Sequence, residues 1–162
     1  MKGTLENNLL NGYGELNLNN KFVYKGNFKD GYFENQGVLT LYDNWGDLIS
    51  KRVGLFNEGS FIEGDVEENI KNRNLKDLTG YTFKGKIKDG KYNGYGKLNN
   101  NQYDISFEGN FKNNWPSYGK EIYLYYDYEG EFKYFIPHGK GKMTFRDGTV
   151  QEGNFEYGKF ID

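Results

Sequence analysis

The stretch FKGKIKDGKYNGYGKL, residues 83–98, decides the fold. Before Asp89-Gly90 the chain alternates: Phe83, Gly85 and Ile87 share one parity, and Lys84, Lys86 and Lys88 the other. Residues of equal parity in a strand face the same side of a sheet. Asp-Gly suits a two-residue hairpin turn, where both positions need positive φ. Beyond the turn, Gly96-Lys97-Leu98 opens a second alternation. Two period-2 runs around such a turn spell a β-hairpin.

The pattern recurs outward in both directions. A Gly followed two residues later by an apolar residue appears at Gly3-Leu5, Gly26-Phe28, Gly54-Phe56, Gly85-Ile87, Gly109-Phe111, Gly130-Phe132 and Gly153-Phe155. An aromatic stands two before the Gly at Tyr24, Phe83, Phe107 and Tyr128. About eleven residues after it, a further Gly opens the second run at Gly14, Gly37, Gly96 and Gly141. Gly weakens a strand interior unless something approaches its backbone closely. The expected visitor is the recurring aromatic ring, laid over the bare Gly from the same or a neighbouring hairpin. One hairpin is marginal in water, so the units must stack to cover their aromatic face.

Composition agrees. The 162 residues hold 23 Gly, 15 Tyr and 13 Phe, and no Ala. Gly disfavours helix, whereas Tyr, Phe and Thr favour strands and Asn favours turns. The expectation is an all-β chain. With a net charge of −2, direct nucleic-acid binding is not expected. The absence of Cys fits a reducing, cytoplasmic setting, and MKGTLENNLLNGYGEL (1–16) has no continuous apolar run to serve as a signal peptide.

YKGNFKDG (24–31), FKGKIKDGKYNGYGKL (83–98), FEGNFKN (107–113) and YEGEFKYFIPHGKGKMTF (128–145) resemble MORN repeats. The resemblance covers nearly the whole of 1–162 as about six and a half units, regular over 1–64 and 81–162 with an irregular insertion at 65–80. It implies an elongated, twisted antiparallel sheet of stacked hairpins, open rather than closed into a barrel. It also implies a non-catalytic binding role, toward proteins and in some members phospholipids. Four departures stand out: Arg52 and Gln151 replace the aromatic, and Asn114 and Phe135 replace the turn Gly. Trp115-Pro116 points to an altered turn in the unit that carries Asn114.

Chemistry-bearing motifs are sparse. GKIKDGK (85–91) imitates a phosphate loop, but Tyr92 stands where Ser or Thr would hold magnesium. His138 is the sole histidine, Glu67-Glu68 is an acidic pair, and the Asn runs at 17–20 and 99–101 read as turns. No catalytic residue, metal site or cofactor is expected.

The face opposite the Gly/Phe column is the candidate contact surface. It carries Tyr13, Tyr95, Tyr118, Tyr123 and Tyr125, with Lys84, Lys86 and Lys88 early and Glu129 and Glu131 late, so that charge sign drifts along the array. Exposed Tyr is favoured at interface hot spots. The structural column is Gly26, Phe28, Gly54, Phe56, Gly85, Ile87, Gly109, Phe111, Gly130, Phe132, Gly153 and Phe155. The reading that follows is a module binding another protein. The alternatives are an inhibitor or immunity-type protein that blocks an enzyme such as a nuclease, and binding of carbohydrate or of anionic lipid through the lysines. Terminal edge strands offer self-association.

Overall fold

The computed structural model describes residues 2–70, 80–100 and 102–162. Among these residues there is no helix, and hydrogen bonding orders fourteen strands in chain order in one open antiparallel sheet. The chain divides into two compact units, Met1–Asn69 with Lys86–Gly90, and Ile70–Gly85 with Lys91–Asp162.

The first unit holds β1 (Lys2–Glu6), β2 (Leu9–Leu18), β3 (Phe22–Lys29), β4 (Tyr32–Tyr42), β5 (Leu48–Asn57) and β6 (Ser60–Asn69). Its strands are registered on a row of glycines: Gly3, Gly14, Gly26, Gly37, Gly54 and Gly64 each stand opposite the next. The Tyr24 ring covers both members of one pair, since a Cβ on Gly26 or on Gly37 would collide with it. That ring also stacks on Phe33 at 3.8 Å and meets Phe28 and Phe56 edge-on, each at 5.1 Å. Offset and edge-to-face rings at these spacings add attraction beyond the area they bury. Leu10, Tyr24, Phe28 and Phe56 form the centre of this core.

The second unit repeats the device through β7 (Thr82–Lys88, its last three residues grouped with the first unit), β8 (Lys91–Asn100), β9 (Ile105–Lys112), β10 (Trp115–Ile122), β11 (Tyr126–Lys133), β12 (Ile136–Phe145), β13 (Val150–Glu156) and β14 (Lys159–Phe160). Its glycine row runs Gly96, Gly109, Gly119, Gly130, Gly141, Gly153. Phe83 covers Gly85 and Gly96, Phe107 covers Gly109 and Gly119, and Tyr128 covers Gly130 and Gly141. The ring thus comes from the same hairpin as the glycines it covers. Edge-on contacts of 5.0–5.3 Å link Phe83, Phe111, Phe107, Phe132, Tyr128 and Phe155 in one staircase. Phe160 then lies over Gly153, where Gln151 supplies no ring.

Second strands bulge just ahead of their glycine, as β4 does before Gly37, opposite Gly26–Asn27, and β12 before Gly141, opposite Gly130–Phe132. There the covering tyrosines donate to backbone carbonyls, Tyr24 to Asn27 and Tyr128 to Glu131, both at 3.0 Å. Burial pushes both phenols up to about 12.

Two sequence expectations change. Residues 65–69, read as part of an irregular insertion, continue β6, because Gly64 and Val66 keep the Gly–apolar register opposite Gly54 and Arg52. Residues 71–79 of that stretch lie outside the described residues. Tyr123 and Tyr125, read as strand residues, lie in the turn between β10 and β11, closed by the Tyr123 N–H donating to the Tyr126 carbonyl at 2.9 Å. Gly26, Gly54, Gly109, Gly130 and Gly153 of the structural column sit in the two rows, Gly85 lies against Gly96, and Phe28, Phe56, Ile87, Phe111, Phe132 and Phe155 are all buried.

Candidate functional site

The rings occupy one face of each unit, so the other face carries every side chain of opposite parity. In the second unit one cross-strand row on that face reads Lys97, Glu108, Lys120, Glu129, Lys142, Glu152, each opposite the next. Lys97 pairs with Glu108 at 3.4 Å and Lys142 with Glu152 at 3.1 Å. In the first unit the corresponding row is Lys2, Glu15, Lys25, Val38, Val53, Asp65. The drift of charge sign is present but offset by cross-strand partners, Lys97 and Lys142 among them. It holds along the first strands of successive hairpins, but the second strands place opposite charges beside them.

Tyr118, Glu129 and Glu131 come together with Lys140, Lys142, Glu152 and Asn154 around a groove of about 690 Å³ on this face. Its floor is the backbone of Gly130, Gly141 and Gly153. Tyr118 is 51% exposed, and stands opposite Glu131 on one side and Asn110 on the other. Tyr95 lies one strand beyond Asn110 and donates its hydroxyl to Glu108, which raises the phenol and lowers the carboxyl.

The remaining candidates are dispersed. Tyr13 projects from β2 in the first unit, exposed. Tyr123 is half-buried, stacks on Tyr126 at 5.4 Å and lines a different hollow with Leu124 and Arg146; Tyr125 is exposed beside it. Lys86 and Lys88 are held by Asp65 and Glu63, at 2.8 and 3.2 Å, rather than presented as a free cationic patch with Lys84.

The chemistry-bearing motifs resolve into structure. Residues 85–91 form strand and turn, with Asp89 and Gly90 at φ 50° and 70°, a hairpin rather than a phosphate loop. Glu67 and Glu68 are strand neighbours and face opposite sides, so they cannot flank one bond. Asn19 and Asn20 take the positive φ of a turn, but Asn17 lies in β2, and Asn99 and Asn100 lie in β8 paired with β9, not in the turn read for them. The His138 Nδ1 accepts from the Tyr157 N–H at 3.4 Å. Among the described residues no group of three or more His, Cys, Asp or Glu is placed to hold a metal ion.

Sequence reading placed Arg52 at an aromatic position but missed Glu121 and Glu68 on the ring face. In the second strands the residue two past the glycine is Leu16, Leu39, Val66, Leu98 or Met143, but in β10 it is Glu121. Burial pushes the Glu121 carboxyl up to about 7, against the donated Tyr126 hydroxyl at 3.2 Å. In β5 and β6, Arg52 fills the aromatic position, lies over the Phe61 ring at 5.7 Å and reaches buried Glu68 at 3.9 Å. The missing signal was Gly64 and Gly119, which follow their partners by ten residues rather than eleven and hide the column.

The MORN repeat family matches residues 24–45, 83–100 and 128–150. Each match begins on a ring that covers a glycine pair, Tyr24, Phe83 or Tyr128. No curated protein matches the chain. The stretches between the matches fold into hairpins on the same glycine rows, around Gly54–Gly64 and Gly109–Gly119. The chain is a repeat protein that carries MORN repeats at these three stretches.

Proposed function

We infer that the chain is a non-catalytic module that binds another protein through the outward groove of its second unit. The observation that supports this most is the gathering of Tyr118, Glu129 and Glu131 with two lysines around one groove. A half-exposed Tyr supplies rigid contact area at low entropic cost. Charges of both signs set orientation and reject partners of the wrong pattern. The exposed ion pairs of the row are each worth under about 1 kcal/mol, so a partner can replace them cheaply. A Cys-free, nearly neutral chain suits a cytoplasmic setting. Among the described residues no helix is long and apolar enough to cross a membrane.

The test is capture from the native host by immobilised protein, with wild type compared to Tyr118→Ala and Lys142→Glu. Loss of one captured protein in both variants, each still melting cooperatively as a folded chain, supports the groove. Undiminished capture by both variants removes it.

A further inference from the structure

We propose that the hairpin tips of the second unit form a separate site, in which Trp115, Tyr134 and Phe135 seat an acidic peptide segment of another protein. The tip between β11 and β12 is unlike its counterparts. The turns Asp30-Gly31, Glu58-Gly59, Asp89-Gly90 and Tyr157-Gly158 end on glycine, and Asn7-Asn8 and Asn113-Asn114 use asparagine. Glycine and asparagine accept positive φ with little strain, so even where Glu58 or Tyr157 takes the first position a glycine relieves the second. Tyr134 and Phe135 adopt φ 54° and 62° with two bulky rings, the conformation that suits such side chains least. An Asn-Gly pair would make the same turn more easily. Strain retained at an exposed turn points to function rather than folding.

The strain places the rings beside Trp115. Trp115 meets Tyr134 at 5.2 Å and 84°, and Phe135 at 5.7 Å and 65°. Trp115 is 39% exposed and Tyr134 56%. The exposed faces of Trp115 and Tyr134 offer a flat or apolar side chain a surface to pack on. The charge around them is mostly positive. The Lys133 ammonium stands over Tyr134 at 6.0 Å and over Tyr157 at 5.2 Å, and donates to the Tyr157 hydroxyl at 3.1 Å. Lys112 stands opposite Trp115, and Lys159 opposite Glu156, so three of these four turn-flanking charges are basic. Charge complementarity selects a segment with carboxylates around an apolar or aromatic residue. The exposed ring faces take the apolar side chain, and Lys133 turns from Tyr157 to a carboxylate.

The test uses Trp45→Phe protein, which leaves Trp115 as its one tryptophan. The probes are short synthetic peptides of Asp and Glu around a central Phe, Trp or Pro, and the same peptides with Lys replacing the acidic residues. The Trp115 emission should shift to the blue and saturate with the acidic set only. Tyr134→Asn with Phe135→Gly should raise the melting temperature and weaken binding by about tenfold or more. Lys133→Glu should weaken binding at unchanged melting temperature, and Tyr118→Ala in the groove should leave it intact. A lower melting temperature in the turn variant would assign the rings to folding and overturn the site. Equal response to the basic peptides, loss of response in Tyr118→Ala, or response to phosphatidylserine vesicles and to no peptide would also overturn it.

Discussion

The Phe83 ring lies against Gly96 so closely that a Cβ there would come within 2.7 Å of two ring atoms. The glycine is required by the ring and not by its dihedral angles, because Gly96 has no positive φ. Gly96→Ala should therefore cost about 3 kcal/mol by overpacking. Phe83→Ala alone should cost ~3–5 kcal/mol as a cavity. If the two residues are coupled, the double variant loses less than the sum of the single losses, which a denaturant double-mutant cycle measures. Additive losses would separate ring from glycine.

Glu121 makes stability depend on pH. Its folded pKa is raised to about 7 by burial, so the folded state prefers the protonated form. The stability this contributes is present in full below the ordinary carboxyl range and is lost as pH rises through about 7. Glu121→Leu should flatten the pH profile between mildly acidic and mildly basic conditions, and gain ~2–3 kcal/mol at the basic end. Thermal melts across that range are the measurement. An unchanged profile would place the carboxylate in water.

Arg52 does the work of a ring in the β5–β6 hairpin. Arg52→Met removes the cation beside buried Glu68 and should cost about 3 kcal/mol. Arg52→Phe combined with Glu68→Val restores the apolar pattern of the other hairpins and should be neutral or stabilising. Urea midpoints of the two variants decide it.

The alternating row predicts a salt-sensitive defect. Lys142→Glu sets three carboxylates in line between β11 and β13 and should cost under about 1 kcal/mol at low ionic strength. High salt should restore most of the loss, whereas a packing defect would persist at all salt concentrations.

The hairpins were legible because strand parity is local. Alternation around Asp89-Gly90, and the spacing of Gly85, Phe83 and Ile87, specify which side chains share a face without reference to any other part of the chain. The contact surface was only half legible for the same reason. Parity assigns Tyr118 and Glu131 to the outward side, but their meeting with Lys140 and Lys142 depends on cross-strand register. Tyr123 and Tyr125 were misplaced because strand-like composition continued past Ile122, where pairing stops.

By itself the sequence determined an all-β chain of glycine-centred hairpins, with the rings on one face and the charges on the other. Only tertiary structure decided which ring covers which glycine pair, that lysine and glutamate alternate along the whole row from β8 to β13, and that Glu121 and Glu68 stand among the rings. The physical reason is that a period of two fixes facing within a strand, whereas register, bulges and burial arise only when one strand is laid against the next.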